Sequence, residues 1–405
     1  MREKSLCLNA NMQQKKPYKV RLSDFLFVLA YGLAIFRGAL GNTTFLQYFS
    51  TYGIFLYVIL SIIATLIFIK LIFADRIGVK NIFITALAVV ILGISFWRSG
   101  YSELIILLIL VLGARGVQIR SIVKTHFAVY GTVMAVAIIC SLAGLIENYT
   151  INKGSFAVYA LGNTYPTDFA AGILSLVLDF SYINAAKWKT KYSLVFVIIA
   201  YALYRITHAR TSSILIVVLA IVQLLLLTSF KNYVKNSRKL RIVAGILFPI
   251  LAIASIAIQS VFGRLSNPFF NLIDILLSYR LSYGYQAINK YGLQLWGRRI
   301  DFIGAGWGTM ITENNRYFYV DNGYLQCALL YGVAVLAAFC MGYLYMAVSN
   351  KTKNDYEMKI ILIFYSIWGI IEPRIFNLTY APFLVAIGIV LMAKDNTNKK
   401  IIFKS

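Results

Sequence analysis

The chain has 405 residues, of which 60% are hydrophobic, and its mean hydropathy is +0.74. Soluble domains are about 45–50% apolar, so this composition excludes an ordinary soluble protein and indicates a membrane protein. The net charge of +24 does not imply a nucleic-acid partner, because short cytoplasmic loops and anionic lipid head groups account for most of it.

Apolar runs along almost the whole chain predict an all-α polytopic membrane protein with about twelve transmembrane helices. The predicted spans are 22–40, 51–73, 82–97, 101–114, 122–146, 166–184, 192–207, 212–230, 241–262, 321–348, 358–372 and 378–393. They form one integrated membrane domain. Its parts are an N-terminal tail at 1–21, nine spans in 22–262, an external loop at 263–320, three spans in 321–393 and a C-terminal tail at 394–405.

The basic residues sort by type across the predicted membrane. One side carries 27 Lys and Arg, the other carries 11, and Arg37 lies inside a span. The richer side is predicted to be cytoplasmic and to hold both termini. The poorer side has nine arginines and only two lysines. Because arginine suits forked binding of phosphate or carboxylate, we expect the function on the external face.

The turn between the seventh and eighth spans concentrates polar residues, namely Arg205, His208 and Arg210. Arg210 begins a span, and a charged side chain at that depth is costly and usually functional. The alternative is an arginine that snorkels to ordinary lipid phosphate. His208 alone is weaker, because a satisfied or solvent-facing histidine is more common than a catalytic one.

The external loop at 263–320 has 58 residues, and loops of this length are usually functional. Pro268 can open a helix with an apolar face, and a second aromatic stretch runs from 283 to 296. Amphipathic aromatic helices of this kind lie in the membrane interface, so we expect a lid on the outer leaflet. Five arginines are distributed along it: Arg264, Arg280, Arg298, Arg299 and Arg316.

Within the loop, Arg280 and the pair Arg298–Arg299 are candidates for binding a pyrophosphate. Glycines at 304, 306 and 308 allow a ligand to approach the backbone closely. The alternative for Arg298 and Arg299 is that they are solvated charges that pair with Asp301 or Glu313.

Asp321, Asn322 and Tyr324 lie where the loop re-enters the membrane. A carboxylate at this mouth can orient and deprotonate a hydroxyl, although Asp321 or Asn322 can also simply cap the tenth span. Asp168 is interpreted as a cap of the sixth span, and Glu372 and Arg374 as partners of each other.

In this order around one long external loop, these clusters resemble the O-antigen ligase and Wzy-type polysaccharide polymerase superfamily. The resemblance covers about residues 160–335 and rests on the following features: 162–170, Arg210-Thr211, Arg280 with 304–306, Asp321-Asn322-x-Tyr324-Leu325, and Gly332. Ligases of the family typically have His-Asn where this chain has Asp321-Asn322. This departure favours a polymerase and puts the general base in doubt, because Asp is a weaker base than His.

The resemblance implies a GT-C-like fold and an inverting transfer at the outer face of the bacterial plasma membrane. The donor would be an undecaprenyl-pyrophosphate-linked glycan, and the acceptor a hydroxyl of another lipid-linked repeat unit. Catalytic roles then fall to Asp321 on the acceptor hydroxyl and to Arg210 and Arg280 on the pyrophosphate. The residues expected to bind substrate are Arg205, His208, Arg298, Arg299, Asn322 and Tyr324.

No metal or other cofactor is expected, and the pathway's flippase and chain-length regulator are expected partners beside membrane lipids. Two alternatives stay open. A ligase would move finished glycan onto another acceptor, and a lipid-linked oligosaccharide flippase or transporter would carry charges within several spans.

Overall fold

The computed structural model describes residues 22–48, 51–73, 79–153, 156–264, 268–308, 317–349, 352 and 355–392. The chain is mostly helical, at 76%. The predicted tails at 1–21 and 394–405 lie outside the described residues, as do Glu313 and Arg316.

Sixteen α-helices run through the described residues. The first eight are α1 Leu22–Gly41, α2 Tyr52–Phe73, α3 Val79–Ser99, α4 Ser102–Gly113, α5 Ile119–Leu142, α6 Pro166–Asn184, α7 Thr190–Thr207 and α8 Arg210–Leu225. The others are α9 Phe230–Asn236, α10 Arg238–Val261, α11 Pro268–Leu276, α12 Arg280–Tyr291, α13 Gly323–Leu330, α14 Val333–Val348, α15 Tyr356–Trp368 and α16 Phe383–Leu391.

Six helices within the described part of the chain are long and apolar enough to cross a membrane. They are Leu22–Gly41, Gly53–Ile72, Ile82–Ser99, Ile119–Leu142, Pro166–Lys187 and Arg238–Arg264. Three shorter apolar helices are Ser102–Gly113, Arg210–Leu225 and Val333–Val348. The prediction of a helical membrane protein is thus supported, whereas a count of twelve spans stays a prediction.

The connection between α5 and α6, which was predicted to be external, differs from the all-α expectation. It contains an antiparallel hairpin of β1 Thr150–Lys153 and β2 Phe156–Tyr159, in which Thr150 lies opposite Tyr159. The strands are four residues each, too short for their alternation to stand out in a strongly hydrophobic sequence.

The predicted span 321–348 is two helices, α13 and α14, separated at Gly332. Gly332 has φ +100°, and a Cβ there would lie 2.4 Å from the carbonyl oxygen of Leu295. The loop at 292–308 thus packs into the break. The N–H groups of Val333 and Ala334 donate to the carbonyls of Gln294 and Leu295 at 3.0 Å each, which satisfies the start of α14.

The helices pack into one bundle. α1 contacts α2, α4 and α5, and α10 packs against α14 and α15. The α7–α8 hairpin packs on α6. Helix α12 packs on α10 and α13, and a 3₁₀ turn at Pro373–Phe376 packs against α13.

Candidate active site

Arg280 is fixed at the start of α12 by an unusual turn. Ser278 and Tyr279 precede it with φ of 57° and 63°, a left-handed conformation that is costly for non-glycine residues. The buried carboxylate of Asp274 compensates by accepting from the backbone N–H groups of Leu281 at 2.9 Å and Ser282 at 3.3 Å, and from the Ser282 hydroxyl. Asp274 therefore caps α12 from outside the helix and sets the direction of Arg280.

Asp321 is held by the residues that follow it. Asn322 caps α13: its Oδ1 accepts from Leu325 N–H at 2.8 Å, and its Nδ2 donates to the Ile370 carbonyl at 2.7 Å. At Gly323 a Cβ would lie 2.6 Å from the carbonyl oxygen of Glu372, so only glycine allows this contact. The start of α13 is thereby locked to the turn that ends α15.

The structure brings Arg280 and Asp321 together, 41 positions apart in the chain. Arg280 Nε donates to Asp321 Oδ2 at 3.0 Å, and the two side chains are 30% and 29% exposed. Among the described residues, neither Nη group of Arg280 has a hydrogen-bond partner. Arg280 thus has donors available to a ligand beside a carboxylate that can accept a proton.

Three tyrosines interact electrostatically with Asp321: Tyr165, Tyr317 and Tyr319. Burial raises the pKa of each hydroxyl above its ordinary value, and the negative charge of Asp321 acts in the same direction. All three therefore stay protonated at neutral pH and can donate a hydrogen bond to a ligand oxygen. Aromatic rings with polar tips are common in sites that bind small molecules.

A second, more buried ion cluster lies beside this pair. Arg374 Nε donates to Asp168 Oδ1 at 2.6 Å, Nη1 donates to Glu372 Oε1 at 2.5 Å, and Nη2 donates to Thr167 Oγ1 at 3.3 Å. Thr164 in turn donates to Asp168 Oδ2 at 2.9 Å. Charge interactions link Glu372 and Asp321, so the two arginine–carboxylate groups share one electrostatic environment.

Only part of this cluster is predictable from the sequence. The pairing of Glu372 with Arg374 is confirmed. The interpretation of Asp168 as the cap of α6 is wrong, because Tyr165 occupies the cap position and no side chain there bonds the helix start. Asp168 instead binds Arg374 across 206 positions of sequence, a contact that local spacing cannot reveal.

The turn between α7 and α8 lies in different surroundings. Arg210 is exposed over a groove between these helices, lined by Tyr201 and Tyr204, and it forms no hydrogen bond or ion pair with any described residue. Arg205 is also exposed. His208 stacks on Phe156 of the hairpin with ring centroids 4.0 Å apart. No hydrogen bond, ion pair or ring contact joins the expected catalytic Arg210 to Arg280 in the described part of the chain.

The other residues expected to bind substrate have structural partners. Arg299 pairs with Asp301 at 3.2 Å, and both are largely exposed, at 67% and 81%. The solvated-pair interpretation therefore holds for Arg299. Arg298 is half-buried beside Gln294. Tyr324 is fully buried and donates to the Ser366 carbonyl at 2.6 Å, so it belongs to the core.

The glycine-rich stretch at 304–308 docks onto the loop before α6. Trp307 N–H donates to the Thr164 carbonyl at 2.8 Å, and the Tyr149 hydroxyl donates to the Ala305 carbonyl at 3.0 Å. Its backbone groups thus join the loop after α12 to the connection before α6. This joining brings Thr164 and Asp168 to the same end of the bundle as Arg280 and Asp321.

Within the described ranges, no group of three or more His, Cys, Asp or Glu side chains is arranged to hold a metal ion. No protein-family model, curated protein or solved structure matches this chain. The interpretation of function therefore rests on the residues themselves and on the resemblance noted from their order.

Proposed function

We propose that the chain is a membrane polysaccharide polymerase that joins undecaprenyl-pyrophosphate-linked repeat units at the outer face of the bacterial plasma membrane. The observation that carries the proposal is the partly exposed pair of Arg280 and Asp321, whose carboxylate interacts electrostatically with protonated tyrosines. A transferase of this kind needs a base for the acceptor hydroxyl and a cation for the leaving pyrophosphate, and this pair offers both.

In the proposed reaction, the acceptor hydroxyl oxygen attacks the anomeric carbon of the donor sugar. The bond from that carbon to the pyrophosphate oxygen breaks, and the configuration inverts. The hydroxyl proton passes to Asp321, and undecaprenyl pyrophosphate leaves beside Arg280. Arg374 touches no reacting atom in this scheme; it holds the turn against which the start of α13 is packed.

The charges of the site suggest how the two roles are coupled. Arg280, Arg374, Asp168, Glu372 and Asp321 together carry one net negative charge when all are ionised. Proton uptake by Asp321 cancels that charge and weakens its ion pair with Arg280. The guanidinium is then released toward the pyrophosphate at the moment its negative charge grows.

The test is polymerisation by the purified protein in liposomes that contain lipid-linked repeat units. Asp321→Asn keeps the shape but removes the base, so we expect a fall of about 10²–10⁴-fold in the rate of chain extension. Asp301→Asn is the matched control, because Asp301 belongs to an exposed external pair, and it should extend chains normally.

Three results would contradict the proposal. Near-normal extension by Asp321→Asn would leave this residue without a chemical role. Movement of lipid-linked units across the bilayer without any extension by the wild-type protein would favour the transporter alternative. Transfer onto a non-repeat acceptor would favour a ligase.

A further inference from the structure

A cavity of about 250 Å³ with two charged side chains in its wall lies beside the candidate active site and is used by neither of its ion clusters. Its wall contains Arg37 of α1 and Glu103 in the first turn of α4. Amide and hydroxyl groups complete it: Asn42, Asn377 and Thr379. Pockets for drug-sized ligands hold about 300–1,000 Å³, so this cavity suits a smaller group such as a single sugar ring with its phosphate.

The two charged side chains in this cavity are not fully paired with other described residues. Arg37 donates through Nη2 to Ser102 Oγ at 3.2 Å, but its buried Nε has no hydrogen-bond partner in the described structure. Glu103 forms no hydrogen bond or ion pair with a described residue. An arginine inside a span is costly unless it meets an anion, and a carboxylate beside it can accept from sugar hydroxyls.

An apolar groove adjoins this cavity. Leu107 and Phe339 line both spaces, and the groove encloses about 460 Å³ between α3, α4, α14 and α16. Along α14 it runs from Val335 to Val348, which corresponds to about 20 Å at ~1.5 Å per residue. A charged head cavity joined to a long apolar groove has the form of a site for an amphiphile.

The cavity also lies next to the Arg374 cluster of the candidate active site. Asn377 follows the turn that carries Arg374, and its N–H donates to the Arg374 carbonyl at 2.9 Å. The Asn42 carbonyl accepts from Thr164 N–H at 3.0 Å, and the Thr164 hydroxyl binds Asp168. The wall of the cavity is thus built from the segments that also hold the Arg374 cluster.

We infer that this cavity and groove form a second substrate site, which takes the lipid end of a polyprenyl-pyrophosphate-linked glycan with a phosphate on Arg37, the hydroxyls of its first sugar on Glu103 and its polyprenyl chain in the groove. This inference rests on the proposed function, since joining two lipid-linked units requires two such sites. The Arg280–Asp321 pair serves the reacting bond, and the Arg37 cavity holds one of the two lipid carriers beside it.

The test measures lipid binding without any sugar donor, so that it is separate from polymerisation. Purified protein carrying Arg280→Ala is titrated with undecaprenyl phosphate, and the bound lipid is counted by native mass spectrometry. We expect Arg37→Gln to weaken binding about ten-fold. Arg98→Gln, an exposed arginine at the end of α3, should leave binding unchanged.

A matched pair of substitutions tests the groove. Ala88→Phe fills the groove from α3 and should also weaken binding about ten-fold, whereas Ala86→Phe on an exposed face of the same helix should not. Thermal unfolding checks that both proteins stay folded. If Ala88→Phe does not fold, the binding measured for Arg37→Gln alone tests the inference.

The inference is overturned if undecaprenyl phosphate binds equally to all four variants. It is also overturned if phosphatidylglycerol binds as tightly and shows the same losses, because the site would then hold ordinary lipid. A protein that binds as expected but never extends chains would retain this site and lose the proposed function. A protein that extends chains but binds undecaprenyl phosphate equally in all variants would keep the proposed function and lose only the second site.

Discussion

Two arginine–carboxylate groups lie at the same end of the bundle and differ in how fully their donors are used. Arg374 has described partners for Nε and both Nη groups, and its side chain is 19% exposed. Arg280 uses only Nε toward Asp321 and is 30% exposed. Saturated donors hold a fold together, whereas unused donors beside a carboxylate can bind a ligand. The same pair of residue types thus stabilises the fold in one place and, in the proposed function, carries the chemistry in the other.

The largest effect that tests this contrast is expected from Arg374→Ala. The change leaves Asp168 and Glu372 in a largely buried site without their cation, and breaking such a pair costs about 3–5 kcal/mol. We expect a pronounced drop in the thermal unfolding midpoint in detergent. Neutralising all three partners together (Asp168→Asn, Glu372→Gln, Arg374→Met) should recover most of that loss. A single variant as stable as the wild type would contradict the structural role of this cluster.

A smaller, two-part effect is expected from Asp274→Ala. Loss of the carboxylate leaves the N–H groups of Leu281 and Ser282 without their acceptor, which costs about 1–2 kcal/mol. Chain extension should fall further than stability, because Arg280 is no longer held toward Asp321. Thermal unfolding and the rate of chain extension are measured on the same preparation, and the rate is measured at a temperature below the unfolding midpoint.

Asp274→Asn supplies the control, since its side-chain oxygen can still accept from the helix start. It should restore most of the extension rate. If Asp274→Ala lowers the unfolding midpoint slightly but extends chains at the normal rate, Asp274 is only a cap. The left-handed turn at Ser278–Tyr279 then has no part in orienting Arg280.

The contrast also marks how far the sequence could predict this protein. Apolar periodicity predicted most helices to within a few residues, such as 166–184 for Pro166–Asn184, because burial in lipid imposes a continuous apolar run. The break at Gly332 was missed, since its cause is a loop residue 37 positions earlier, Leu295. The proximity of Arg374 and Asp168 was missed for the same reason. Helix packing order is a tertiary property that spacing along the chain does not encode.

The least effect is expected where the sequence pointed most strongly, at Arg210. An exposed arginine without a described polar partner, set over an apolar groove, has the surroundings of a side chain that snorkels to lipid phosphate. Arg210→Gln should therefore change stability by about 0.5 kcal/mol or less and the extension rate by about two-fold at most.

The measurement is the length distribution of polymer made by folded Arg210→Gln protein beside the wild type. A complete loss of polymer with an unchanged unfolding midpoint would show that α8 approaches Arg280 once substrate is bound. The number of unused donors on an arginine would then not identify the catalytic residues, and the order of motifs along the chain would be the better guide to catalysis. Normal polymer instead confines the chemistry to Arg280, Asp321 and the tyrosines around them, because these groups converge without any movement of the α7–α8 hairpin.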